Sequence, residues 1–183
     1  MFALTLQATR ADAGIFRDIA DSRYMSSKLR VQAVMWLAEQ RLIDQSNWLL
    51  DLYARDSSRT VRQAIVSAIS AQRNVADKDW LLAVGRDSTA GLDTRKLAIS
   101  SVAEMSATAS ELYQLYRDVR PAPLRELIIE KLGNHQDKLA VERLIDIATI
   151  EDAVALRGTS LRLLRESKDP RAVAFVTAYR EKN

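Results

Sequence analysis

Apolar positions along this chain repeat with a long beat laid over a short one. Phe16, Trp48, Trp80, Leu112, Leu144 and Val176 fall 32 residues apart at every step. A second column, Arg30, Arg62, Arg95, Arg125 and Arg157, follows at spacings of 32, 33, 30 and 32. Around each Arg the apolar positions lie at −1, +3, +4 and +7, as in Val61, Ile65, Val66 and Ile69 around Arg62. Those offsets share one face of an α-helix. Two repeats bend one position each, with Thr94 before Arg95 and Ser160 after Arg157. The first column opens a different helix, with stripes such as Trp48, Leu49 and Leu52, or Trp80, Leu81 and Val84. Each repeat therefore reads as a hairpin of an A helix, carrying the aromatic or Leu, and a B helix, carrying the Arg.

Self-similarity at this period predicts an all-α stack, an α-solenoid, because a lone hairpin cannot bury its own apolar face. The predicted repeats run over residues 12–43, 44–75, 76–107, 108–138 and 139–168, with a capping helix over 169–181, in a single domain spanning 1–183. Punctuation agrees. Pro121 and Pro123 precede the fourth B helix, and Asp169–Pro170 opens the last helix as cap and first-turn proline. Gly133–Asn134 reads as a left-handed C-cap, and Asp137 or Ser46 as N-caps. Residues 106–110 read as a small-residue loop. Residues 1–8 fall where the tail of an earlier B helix would lie, with Phe2 and Leu6 as its core residues. That predicts the end of a longer array.

These residues resemble the HEAT-repeat family, including its short HEAT-like members. The match is carried by Asp56 followed by Thr60–Val61–Arg62–Gln63–Ala64, and by Leu156–Arg157 preceded by Glu151. The resemblance covers roughly residues 12–180. It implies a right-handed superhelix of about five hairpins whose B helices line a concave face. It also implies a range of roles: scaffolds, transport factors, bilin-attaching lyases and a few DNA glycosylases. No acid stands six residues before Arg30, Arg95 or Arg125, although Asp87 and Asp118 lie eight and seven before the latter two.

Composition changes the picture only modestly. The 183 residues are 48% hydrophobic and 28% charged, with a net charge of +3 from 27 basic and 24 acidic side chains. That balance suits a folded domain and does not demand a nucleic-acid partner. The basic surplus sits at one end: residues 153–183 hold seven basic and three acidic side chains. No cysteine is present, which removes disulfides, thiolate nucleophiles and cysteine metal sites. No apolar run reaches the ~18 residues of a membrane span, so no membrane insertion is expected. The start lacks the basic segment of a signal peptide. The cytoplasm is the default compartment, and an extracytoplasmic one stays open for a fragment.

The Arg column (Arg30, Arg62, Arg95, Arg125 and Arg157) reads as a structural ladder donating to Asp56, Asp87, Asp118 and Glu151 in the turns, because a guanidinium fork donates several coplanar hydrogen bonds. Trp48 and Trp80 read as core. Outer B-helix positions supply the candidate partner-binding face: Met35, Gln63, Ser67, Lys96, Ser100, Glu126, Glu130 and Arg162. Tyr24, Met25 and Trp36 form a possible apolar anchor, or pack against a missing repeat. Catalysis has little to stand on. His135 is the one histidine, read as a solvated turn residue, and neither a nucleophile set, a phosphate loop nor metal-ligand spacing is present. The expectation is a non-enzymatic scaffold for a protein or peptide, with no cofactor and no metal. The alternatives are a nucleic-acid binder using Arg157, Arg162, Arg165, Lys168 and Arg171, and a bilin-lyase-like accessory protein.

Overall fold

A computed structural model of the chain describes residues 10–40, 45–105 and 107–182. Phe2 and Leu6, read above as core, lie outside the described residues. Among the described residues there are eleven α-helices, one short 3-10 turn and no strand. They form two compact units, Met1–Asp77 and Lys78–Asn183.

The first unit holds α1 (Arg10–Asp21), α2 (Ser27–Glu39), α3 (Gln45–Arg55), α4 (Arg59–Gln72) and the turn Val75–Asp77. Here α2 packs against α1 and α4, and α3 against α4. The −1, +3, +4, +7 rule holds in α4, whose Val61, Ile65, Val66 and Ile69 are fully buried. Ser26 caps α2 by accepting from the Leu29 amide. Arg73 ends α4 in the left-handed region at φ 51°.

The second unit holds α5 (Lys78–Arg86), α6 (Leu92–Met105), α7 (Ala109–Asp118), α8 (Ala122–Gly133), α9 (Leu139–Ile150), α10 (Val154–Glu166) and α11 (Pro170–Lys182). Helices α5, α7, α9 and α11 pack in succession as one layer, and α6, α8 and α10 as a second. Between them lie Leu112, Leu115, Leu124, Ile128, Ile129, Leu132, Ile147 and Leu164, all essentially without solvent exposure. Thr94 and Ser160, the two polar interruptions of the B pattern, are buried in line with their apolar counterparts. The Ser160 hydroxyl finds no hydrogen-bond partner there.

Several turns differ from their sequence reading. Gly133 is the last residue of α8 and has no positive φ, so it is not a left-handed cap. Its role is room: a Cβ there would stand 2.7 Å from Leu163 Cδ2 of α10. Ser46 lies inside α3 and does not precede it. Thr108 forms a full capping box with Glu111 at the start of α7. Pro170 does open α11, and Asp169 accepts from the Arg171 amide and guanidinium. Those bonds to Arg171 hold the Asp169 carboxyl down to about 2.

Trp48 and Trp80 are half-buried and not core, while Leu49, Leu52, Leu81 and Leu82 beside them are buried. An indole is too large to share the interior column with these leucines, and the Trp48 ring instead lies 5.6 Å from the Arg17 guanidinium.

Candidate interaction surfaces

The Arg column is built on one repeated contact. Four of the five B-helix arginines reach back to a carbonyl at the end of an A helix or in its following turn, and Arg125 is the exception. Arg30 Nε donates to Ala20 O at 2.8 Å, Arg62 Nε to Tyr53 O at 3.1 Å and Arg95 Nε to Gly85 O at 2.9 Å. Arg157 donates through a terminal nitrogen to Glu151 O at 2.9 Å. Helix C-termini leave carbonyls without intrahelical partners, and a cation there also complements the helix dipole. Arg30 and Arg95 are only 6% exposed, and burial lowers the pKa of Arg95.

The carboxylates do not pair as the family pattern suggested. Asp56 takes Arg30, and Glu151 takes Arg125, so in each case the acid bonds the Arg of the preceding hairpin and not its own. Asp87 accepts from the Thr89 amide and hydroxyl and also acts electrostatically on Arg95. Asp118 pairs with Arg86 at 2.7 Å, outside the column.

Glu151 is the most connected of these groups. The buried Tyr116 hydroxyl donates to it, Arg125 pairs with it at 2.5 Å, and its Oε1 accepts the Ala153 amide at 2.9 Å. Burial pushes the Glu151 carboxyl up, and the Tyr116, Ala153 and Arg125 bonds outweigh it and hold the carboxyl below its ordinary range. Burial, then the bond to Glu151, pushes the Tyr116 hydroxyl well up. Arg125 also lies over the Tyr116 ring at 4.3 Å, as Arg62 does over Tyr53.

Sequence reasoning missed a further set of cross-hairpin pairs. Arg55 meets Asp21 at 2.8 Å, Lys78 meets Glu111 at 2.7 Å and Arg171 meets Glu142 at 2.6 Å. The signal was present in the period itself. Asp21 and Arg55 stand 34 apart, Lys78 and Glu111 33, and Arg86 and Asp118 32. Opposite charges one repeat apart are neighbours on adjacent hairpins.

In the second unit, Glu126, Glu130 and Arg162 are exposed on the outer side of α8 and α10, and Lys96 and Ser100 on α6 are half-buried. The charges are matched. Arg162 meets Glu130 at 3.7 Å and Glu166 at 3.2 Å, and Lys131 meets Glu104 at 2.6 Å. In the first unit, Gln63 and Ser67 on α4 are half-buried, whereas Met35 is exposed. Tyr24 is fully exposed, and Met25 is 45% exposed. Trp36 is half-buried, with its ring stacked on Phe16 at 3.8 Å.

His135 is not a solvated turn residue. It is half-buried, its Nδ1 accepts the Asp137 amide at 3.0 Å, and its Nε2 stands 2.7 Å from Ala107 O. An acceptor Nδ1 makes Nε2 the protonated nitrogen, so the ring donates across to the preceding hairpin. Asp137 accepts from Leu139 at the start of α9 and from Ala109 at the start of α7. Among the described residues no group of three or more His, Asp or Glu side chains could hold a metal ion, and no helix is long and apolar enough to cross a membrane. No protein-family model, curated protein or solved structure matches the chain.

Proposed function

We propose that the chain is a non-enzymatic scaffold that binds a protein or peptide on the outer face of its B helices. The finer reading of the fold, a right-handed α-solenoid of five HEAT-like hairpins and a terminal helix, belongs to the same proposal. In Lys78–Asn183 the contact residues are Lys96, Ser100, Glu126, Glu130 and Arg162. One observation supports this reading: the ordered polar contacts of the turns are spent between hairpins, while Glu126, Glu130 and Arg162 stand exposed as a mixed-charge surface. Arg95 and Arg125 are held by Gly85 and Glu151, while Glu126, Glu130 and Arg162 stay exposed. A preformed array of this kind loses little ordering entropy on binding.

The face carries both signs of charge in matched pairs, which suits a mixed polar protein surface more than a phosphate backbone. Alanine at Lys96, Ser100, Glu130 and Arg162 together is expected to abolish retention of the partner in affinity capture, with helicity unchanged. Equal capture by the quadruple variant would sink the proposal.

A further inference from the structure

Helix α2 differs from the other B helices in what it leaves uncovered. Its inward face holds Arg30, Ala33, Val34 and Leu37, all buried. The opposite face carries Lys28, Leu29, Gln32, Met35, Trp36 and Glu39, which fall within about 120° of the helix circumference at 3.6 residues per turn. All are exposed except Trp36, which is half-buried. Leu29 is 48% exposed, while its counterparts Val61, Thr94, Leu124 and Leu156 are at most 4% exposed. Apolar residues on both sides of one helix mark a helix meant to be covered on both sides.

The charges on this face say what covers it. Lys28 stands in the first turn of α2 and Glu39 at its last residue. Both oppose the helix dipole, which favours acid at the start and base at the end. Both therefore cost the isolated helix stability, unless each meets an opposite charge from outside. A second α2 laid antiparallel supplies that charge. Pairing Lys28 with Glu39 of the other copy places Gln32 opposite Met35 at the centre, with Leu29 and Trp36 along the same contact. Two-fold symmetry forms the Lys28–Glu39 pair twice. A parallel second copy would set Lys28 against Lys28. A wholly apolar foreign partner would leave both charges unanswered.

We propose that the chain forms a two-fold symmetric dimer in which α2 packs antiparallel against α2 of a second copy. Ile15 in α1, and Tyr24 and Met25 just before α2, are exposed as well. One helix pair buries less than the about 800 Å² per partner of a standard stable interface, so the dimer is of micromolar strength. The inference goes beyond the scaffold reading. It uses none of the residues assigned to that face in Lys78–Asn183, and either can fail alone.

Sedimentation equilibrium of the full chain from about 1 to about 300 μM brackets that strength. The wild type is expected to pass from monomer to dimer. Lys28→Glu and Glu39→Lys are each expected to weaken association about tenfold or more, through like charges brought together. The double exchange restores it, and Leu29→Glu abolishes it with far-ultraviolet circular dichroism unchanged. A wild type that stays monomeric throughout overturns the proposal. So does association that ignores the single exchanges or Leu29→Glu, which would place the contact on another surface. Failure of the double exchange to restore dimer overturns it equally. If the single exchanges raise the melting temperature without touching association, the charges act only within the helix and the proposal falls.

Discussion

At the scale of single residues, the glycines separate two physical uses of the same residue. Gly85 sits in α5 where a Cβ would meet Ile99 Cγ1 at 3.1 Å, and Ile99 is fully buried. Gly158 in α10 has nothing within 4 Å of its would-be Cβ and is exposed. Gly85→Ala is expected to destabilise by about 1 kcal/mol, overpacking outweighing the gain in helix propensity. Gly158→Ala is expected to stabilise by up to about 1 kcal/mol, since only the propensity term operates. Chemical denaturation of the two variants checks both signs, and equal shifts would contradict the packing account. Nothing in the sequence separates these glycines, because both lie in helical segments. His135 teaches the same lesson: one turn histidine in the sequence, a cross-hairpin donor in the structure.

At the scale of elements, the stability of the α7–α8–α10 contact is tied to pH through Glu151. Its carboxyl is held below its ordinary value in the folded chain, so the unfolded chain binds its proton more readily. The stabilisation is therefore complete above the unfolded value of 4.5 and is lost as pH falls through the lower folded value. Glu151→Gln is expected to cost about 1.5–3 kcal/mol at neutral pH, the scale of hydrogen bonds to a charged group. The cost shrinks towards zero in acid. Melting temperatures of wild type and variant measured from pH 7 down to pH 3 decide it, and curves that stay parallel would show that Glu151 is not the titrating group. The acid was legible from the sequence, but its partner was not. Register between hairpins depends on how far each turn climbs, and that distance is fixed by packing.

At the scale of the whole chain, the basic C-terminal surplus loses much of its meaning once the pairs are known. Arg157 is bound to a carbonyl, Arg162 to Glu130 and Glu166, and Arg171 to Glu142 and Asp169. Duplex DNA is expected to bind no tighter than the non-specific range of about 10⁻⁴–10⁻⁶ M at physiological salt. Fluorescence anisotropy with a labelled duplex tests this. Nanomolar binding with a steep salt slope would revive the nucleic-acid reading.

By itself, the sequence determined the helices, their order and most of their inward positions. Local periodicity and caps are properties of a few successive residues, and a 32-residue beat makes each helix announce the next. It also marked the Arg column, four of whose five members reach a backbone carbonyl at the end of the preceding helix or in its turn. Only the tertiary structure decided which carboxylate each Arg meets, that Trp48 and Trp80 stand at half-buried sites, and that Leu29 is left outside. Those facts depend on which hairpin lies beside which, on the volume available at each contact and on whether a neighbour is present at all. Residues far apart in the chain set these conditions, and no local pattern records them.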